Sequence, residues 1–88
     1  MPQDKTLQTI ARRLELTREA LGLSQSEFAD KAGIARNTYN QWEKGKGRPQ
    51  LDGAITLCST YNLTLDWIYF GEMAGLPYQV AQKLVTAA

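Results

Sequence analysis

One short stretch in the middle of the chain carries side chains whose types match the edges of DNA bases. If residues 36–44 form a helix, five polar side chains fall on one side of it: Arg36, Asn37, Asn40, Gln41 and Lys44. Arginine can hydrogen-bond O6 and N7 of guanine together, and asparagine or glutamine can bond N6 and N7 of adenine. We therefore interpret Arg36, Asn37, Asn40 and Gln41 as base-reading candidates for a major groove. A merely solvated polar helix face is the alternative interpretation.

Basic residues are concentrated in the same part of a chain that is nearly neutral overall. The 88 residues carry a formal net charge of +1. Residues 36–48, however, hold four arginines or lysines against Glu43 alone. Three of them, Lys44, Lys46 and Arg48, follow the polar stripe on a loop that contains two glycines. This basic island predicts contacts with a phosphate backbone, and a plain solvated loop is the alternative.

A second signal for phosphate binding precedes the stripe. Ser24, followed three residues later by Glu27, fits a capping box at the start of a helix. Free backbone N–H groups and the helix dipole attract an anion to such a start. Ser24 and the adjacent Gln25 are therefore candidates for phosphate contact, and Ser24 is also the expected helix cap.

Helical periodicity runs through the chain, and no alternating pattern is long enough for a strand. Apolar spacing and glycine or proline breaks predict helices over 6–21, from Ser24 to Gly33, over 36–44, over 51–61 and from Thr64 to Gly71. Pro77, at a first-turn position, allows a sixth helix. The expected fold class is all-α, with a flexible tail at 1–5, a domain at 6–71 and a C-terminal segment at 72–88. The second and third helices form a helix-turn-helix at about 24–44.

The composition excludes the usual catalytic and metal-binding constellations. The chain has no histidine, the commonest general base and metal ligand, and a single cysteine, Cys58. The longest apolar run, residues 67–70, is far too short to span a bilayer. We therefore expect a cytoplasmic protein that is not an enzyme and has no metal, no cofactor and no membrane partner.

Residues 22–49, GLSQSEFADKAGIARNTYNQWEKGKGRP, resemble the helix-turn-helix of Cro and the phage repressors, the lambda-repressor-like DNA-binding domains. The points of resemblance are GLSQ at 22–25, Ala29, Gly33, Ile34, Thr38, Trp42, Glu43 and the turn at Gly45. Residues 49–68 resemble the last two helices of the same family. The resemblance implies a compact five-helix domain whose third helix enters the major groove, with Gln25 facing a phosphate. The expected phosphate contacts are then Ser24, Gln25, Thr38, Lys44, Lys46 and Arg48.

The resemblance also implies structural roles and shows two departures from the family pattern. Arg18 and Glu43 match a pair that forms a partly buried salt bridge between the first and third helices. Ala35 stands where a serine or threonine often caps the third helix, so about 1 kcal/mol of capping stability is expected to be missing. Thr17 stands where leucine is frequent, and we expect it to weaken a core contact slightly.

Large apolar side chains near the C-terminus predict a partner surface. A five-helix domain does not easily bury Trp67, Tyr69, Met73, Leu76 and Tyr78. We expect a homodimer formed through the fifth helix and the segment after it, which makes these five side chains dimer-interface candidates. The alternative is that residues 76–88 fold back on their own domain.

Together these patterns predict a transcriptional regulator that binds double-stranded DNA in a sequence-specific manner. The expected form is a dimeric repressor that reads an inverted repeat through its third helix. The main alternative is an antitoxin-type module, in which residues 72–88 bind a small protein partner, a toxin, and the helix-turn-helix serves autoregulation. An RNA-associated or coactivator domain that keeps the fold but does not read a DNA groove is a further alternative.

Overall fold

A computed structural model describes residues 6–87 of the chain, which form six helices joined by turns and loops. They are α1 (Leu7–Ala20), α2 (Gln25–Lys31), α3 (Arg36–Glu43), α4 (Leu51–Tyr61), α5 (Leu65–Phe70) and α6 (Tyr78–Ala87). This span contains no strand, so the predicted all-α class is confirmed. The tail expected at 1–5 lies outside the described residues. None of the described helices is long and apolar enough to cross a membrane.

Local sequence signals set the start and the end of α2 and the start of α3. Ser24 forms the predicted capping box of α2: its hydroxyl accepts from the Glu27 N–H at 3.1 Å, and the Glu27 carboxylate accepts from the Ser24 N–H at 2.9 Å. Gly33 follows α2 with a φ of +70°, a left-handed conformation that glycine adopts without strain. Ala35, which precedes α3, offers no side-chain cap, as its lack of a hydroxyl implies.

A single buried cluster receives side chains from all six helices. Among them are Ile10 and Leu14 of α1, Phe28 of α2, Tyr39 of α3, Leu57 of α4, Ile68 of α5 and Leu84 of α6. The Phe28 ring stacks on Tyr61 with centroids 4.3 Å apart, and the Tyr61 hydroxyl donates to the Phe28 carbonyl at 2.7 Å. Because α1 packs against α3, α5 and α6, it is the support on which α3 is placed.

A glycine in α4 makes room for the indole of Trp42. An ideal Cβ at Gly53 would lie 2.7 Å from Cη2 of Trp42, closer than two carbon atoms approach without a bond between them. Trp42 is buried on the inner side of α3. The backbone of α4 can therefore lie this close to the ring only because position 53 has no side chain.

The partner surface predicted near the C-terminus is mostly covered by the chain itself. Trp67 and Leu76 are buried, while Tyr69 and Met73 are half-buried against the same core. The expectation that these four stay uncovered was wrong: the Trp67 indole donates to Thr17 of α1, and the Tyr69 hydroxyl donates to the Pro49 carbonyl at 2.7 Å. Farther along the chain, α6 packs on α1. Of the five candidates only Tyr78 is largely exposed, at 78%. The described residues from 76 onward thus fold back on their own domain.

Thr17 does not loosen the core as expected but fastens α1 to α5. It is buried, and its hydroxyl accepts from the indole N–H of Trp67 at 2.9 Å while donating to the Arg13 carbonyl at 2.7 Å. Arg13 in turn donates to the Ile68 carbonyl at 2.8 Å. A leucine at position 17 could not accept the Trp67 N–H, so the threonine is matched to a tryptophan in α5.

Candidate nucleic-acid interface

α3 has one buried side and one bare side. Tyr39 and Trp42 are buried in the core. The outward side chains are Arg36, Asn37, Thr38 and Gln41, all exposed, and Asn40, which is half-buried. The structure therefore brings the four predicted base-reading side chains, with Thr38, onto the side of the helix that the core does not use.

The C-terminal end of α3 is held by the Glu43 carboxylate, which accepts four hydrogen bonds from three side chains. Arg18 donates from Nε to Glu43 Oε2 at 2.7 Å and from Nη2 to Oε1 at 3.3 Å. The Tyr39 hydroxyl also donates to Oε2 of Glu43, and Gln25 Nε2 donates to Oε1 at 2.9 Å. Arg18 and Glu43 side chains are only 13% and 5% exposed, and Arg18 makes a further bond to the Leu23 carbonyl at 2.9 Å. The salt bridge that the resemblance implied is thus present, inside a larger polar cluster.

These contacts keep Glu43 ionised. Burial alone would raise the pKa of the Glu43 carboxyl, but hydrogen bonds from Arg18, Tyr39 and Gln25 bring that pKa below its ordinary value. Burial first, and the Glu43 carboxylate second, raise the pKa of Tyr39, so the phenol stays protonated and donates. The hydrogen bond to Glu43 raises the pKa of Arg18. A charged carboxylate with matched donors therefore joins α1 to α3.

Gln25 links this cluster to the bare side of α3. While its Nε2 donates to Glu43, its Oε1 accepts from Asn40 Nδ2 at 2.9 Å. A row of hydrogen bonds thus runs from Arg18 through Glu43 and Gln25 to Asn40. Asn40 keeps its oxygen and a second N–H for a base. The expected phosphate contact of Gln25 stays a prediction, but the structure gives Gln25 a second role that no local pattern signals, because residues 25 and 43 are 18 positions apart.

Arg36, at the start of α3, is paired with Asp30 near the end of α2. Its Nε donates to Oδ1 at 3.2 Å and its Nη2 to Oδ2 at 2.7 Å. Both side chains are exposed, at 67% and 52%. The hydrogen bond from Arg36 lowers the pKa of the Asp30 carboxyl. Asp30 was not foreseen as part of the interface, because it lies across the turn from α3 and belongs to another helix.

The other predicted phosphate contacts lie before α3, within it and after it in the sequence. Lys44, Lys46 and Arg48 are exposed on the loop between α3 and α4. Gly45 and Lys46 donate their backbone N–H groups to the last turn of α3 at 3.2 and 3.1 Å, which fixes the course of this loop. Ser24 is exposed, and its capping role is confirmed. The phosphate contacts of Ser24, Thr38 and the three basic side chains stay predictions.

The turn between α2 and α3 closes with backbone bonds. The Gly33 N–H donates to the Asp30 carbonyl at 3.1 Å, and the Ile34 N–H donates to the Ala29 carbonyl at 2.9 Å. A family model described as helix-turn-helix matches residues 14–68, more than half of the chain. The chain belongs to the helix-turn-helix family. In this helix-turn-helix protein α2 and α3 are the two helices of the motif, and the match to the Cro and phage-repressor type confirms the resemblance.

Curated relatives of this helix-turn-helix protein carry regulatory names. It is 34% identical over 56 residues to the uncharacterized HTH-type transcriptional regulator YobD of Bacillus subtilis, a match covering 64% of this chain and 50% of the relative. It is 28% identical over 57 residues to the cryptic phage CTXphi transcriptional repressor RstR of Vibrio cholerae, covering 65% and 51%. With the uncharacterized HTH-type transcriptional regulator YqaE of Bacillus subtilis it shares 31% over 72 residues, covering 82% and 62%. The chain therefore spans about half the length of the first two relatives. No solved structure matches it.

Potential metal-ligating side chains are scattered over residues 6–87, and Cys58 is partly covered. Among residues 6–87 no three histidine, cysteine, aspartate or glutamate side chains are grouped so that they could hold a metal ion. Cys58 is half-buried, and burial raises the pKa of its thiol, which disfavours the reactive thiolate. The features that stand out are the exposed donors and acceptors of α3 and the basic loop that follows it.

Proposed function

We propose that this protein is a transcriptional regulator that binds double-stranded DNA and reads its sequence through the exposed side of α3 in the major groove. Relatives named as transcriptional regulators support this role, and the likeness to RstR, a phage repressor by name, supports repression as its sense of action. The proposal assigns to this chain the regulatory role that those names state, and the chain spans about half the length of these relatives.

One observation carries the proposal: the polar side of α3 is bare while the opposite side is fixed in the core. Asn37 and Gln41 are exposed and make no side-chain hydrogen bond with the described residues. Such amides can each bond two groups on one base edge. Because Glu43 ties the end of α3 to α1, the helix can present these amides at a constant angle. A rigid element that exposes unpaired amides is suited to reading base pairs.

Phosphate contacts would provide the affinity that base contacts do not. Lys44, Lys46 and Arg48 follow directly after α3, so a helix seated in a groove would bring their loop beside a strand of the backbone. Each neutralised phosphate releases counterions, which makes affinity fall steeply with added salt. Base preference and salt dependence are therefore expected to come from different residues, and variants can separate them.

We propose that the active form is a homodimer. Helix-turn-helix dimers place two recognition helices in major grooves about 34–36 Å apart. The described part of one chain measures 30 × 25 × 21 Å and contains one such helix, so a single copy cannot reach both half-sites of an inverted repeat. On α6, Tyr78 and Val85 are 78% and 67% exposed. They line a shallow depression of about 270 Å³ and are the surface that we assign to the second copy.

The same face of α6 supports the second candidate, an antitoxin-type module that binds a small protein partner. A sedimentation experiment on the purified chain at micromolar concentration separates the two. A species of twice 9.8 kDa that Tyr78→Glu dissociates supports the dimer. A 9.8 kDa species that binds DNA only as a monomer would contradict the dimer and favour the partner-binding alternative.

Selection of binding sites from random duplexes tests DNA reading directly, followed by titration of the preferred duplex and a scrambled one. Gln41→Ala should weaken binding to the preferred duplex by about 1–3 kcal/mol and leave the scrambled duplex unaffected. Gln79→Ala in α6 is the matched control, since it removes an exposed glutamine that lies outside α3 and does not line the depression assigned to the second copy. Equal losses on both duplexes would show that Gln41 reads no base, and failure to enrich any sequence would refute the proposed function.

A further inference from the structure

The pairing of Arg36 with Asp30 leaves one particular edge of the guanidinium without a partner. A guanidinium has five N–H donors: one on Nε and two on each terminal nitrogen. Asp30 takes the Nε hydrogen and one of the Nη2 hydrogens, which form one side of the fork. Both Nη1 hydrogens and the other Nη2 hydrogen remain unbonded among residues 6–87. Two of these, one from each terminal nitrogen, are parallel and form the far end of the fork.

That free edge has the geometry of a guanine reader. O6 and N7 of guanine are two acceptors side by side, and arginine bonds them with two parallel N–H groups. A carboxylate bound to the other side of the fork does not compete for those hydrogens. It also limits rotation of a long side chain, which otherwise loses much conformational freedom when it binds. Arg36 could therefore hold Asp30 and a guanine at the same time.

The position of Asp30 suits such a support. It lies near the end of α2, just before the turn that leads to α3. Backbone bonds from Gly33 and Ile34 to the end of α2 hold the start of that turn, and α2 packs on α3. Glu43 and Gln25 support Asn40 from one end of α3, and Asp30 supports Arg36 from the other. Two of the four predicted base-reading side chains are thus held by neighbours that do not themselves lie on the bare side of α3.

We infer that Asp30 is a positioning residue for DNA recognition: its carboxylate holds Arg36 so that the free edge of the guanidinium selects guanine in the major groove. The inference rests on the proposed function. It differs from a purely electrostatic role, in which the negative charge of Asp30 would only oppose the binding of any DNA. The two roles predict opposite effects of removing the charge.

Asp30→Asn is the test, measured on the preferred duplex and on duplexes in which each base pair is changed in turn. We expect the preference for guanine at one base pair to fall about two- to fivefold, the range for a well-formed exposed ion pair, while affinity for scrambled DNA is unchanged or rises. Asp66→Asn is the matched control, an exposed aspartate in the first turn of α5, which packs on α1 and α4. Because Asp30 is exposed, the variant should fold, and far-ultraviolet circular dichroism with a thermal melt checks this.

The double variant Asp30→Asn with Arg36→Ala decides how Asp30 acts. If Asp30 works through Arg36, Asp30→Asn has no effect on guanine preference once Arg36 is gone. An unchanged preference in Asp30→Asn, a change equal to that of Asp66→Asn, or the same change in the Arg36→Ala background would each overturn the inference while leaving the proposed function in place. Failure of the wild type to prefer any duplex would refute both.

Discussion

Replacing Glu43 by glutamine should remove a large part of the stability of this domain. The amide has the shape of the carboxylate but no charge, so Arg18 loses the counterion for a guanidinium that is only 13% exposed. Removing one partner of a buried ion pair costs about 3–5 kcal/mol. Arg18 keeps its bond to the Leu23 carbonyl, so we expect the lower end, about 3 kcal/mol. At about 0.05–0.15 kcal/mol per residue, a chain of this length has about 4–13 kcal/mol in total.

The pH dependence of that loss is the stricter part of the prediction. Because contacts in the folded protein lower the pKa of Glu43, its stabilisation is fully present above the unfolded value, near 4.5, and is lost as pH falls through the folded pKa. The wild type therefore loses stability on acidification that Glu43→Gln cannot lose. The difference between the two proteins should be largest at neutral pH and should narrow as the pH falls below about 4.5.

Urea unfolding followed by circular dichroism at a series of pH values measures this difference. Glu15→Gln is the control, because Glu15 forms an exposed pair with Arg12, with side chains 40% and 60% exposed. Its effect should be no more than about 0.5 kcal/mol. A loss below about 1 kcal/mol for Glu43→Gln at neutral pH, or a difference that does not change on acidification, would refute the reasoning from burial and converging donors.

Three further variants test other parts of the structure. Lys46→Ala should weaken binding to preferred and scrambled duplexes alike and lower the slope of log affinity against log salt by about 0.9, as for one phosphate contact; loss on the preferred duplex alone would contradict this. Gly53→Ala forces the neighbouring indole of α3 to move and should lower the free energy of unfolding by about 1–3 kcal/mol, while Gly47→Ala, whose Cβ meets nothing within 4 Å, should leave it nearly unchanged. Thr17→Val leaves the buried Trp67 N–H without its acceptor and should cost about 1–3 kcal/mol in urea unfolding; a cost near zero would mean that this bond does not stabilise the α1–α5 contact.

Features decided within a few residues of sequence were predictable. The capping box of α2 needs only Ser24 and Glu27, and the end of that helix needs only Gly33. The two sides of α3 follow from the spacing of Tyr39 and Trp42, because a helical period places residues three apart on one side. Both the fold class and the orientation of the candidate interface depend on such signals, which is why they could be predicted from the sequence.

Features that depend on distant segments were not predictable in this way. The Trp67 N–H finds its acceptor 50 residues earlier, and the Tyr69 hydroxyl finds its acceptor, the Pro49 carbonyl, 20 residues earlier. Asp30 and Arg36 are only six residues apart, but a turn separates them and helical spacing does not describe their approach. Trp67, Tyr69, Met73 and Leu76 looked uncovered because they lie near the C-terminus, and their spacing contains no information about which distant segments pack on them.

The base-reading candidates of α3 differ in how much freedom they have before DNA arrives. Arg36 and Asn40 are already hydrogen-bonded to Asp30 and Gln25, whereas Gln41 has no such bond among the described residues. Immobilising a free side chain at an interface costs about 0.5–1.5 kcal/mol, and a side chain that is already held avoids most of that cost. A wrong base pair also costs more binding free energy when the side chain that faces it cannot move to accommodate it. Base pairs opposite Arg36 and Asn40 should therefore be read strictly, and the pair opposite Gln41 with more tolerance, so the polar network behind α3 bears on specificity as well as on stability.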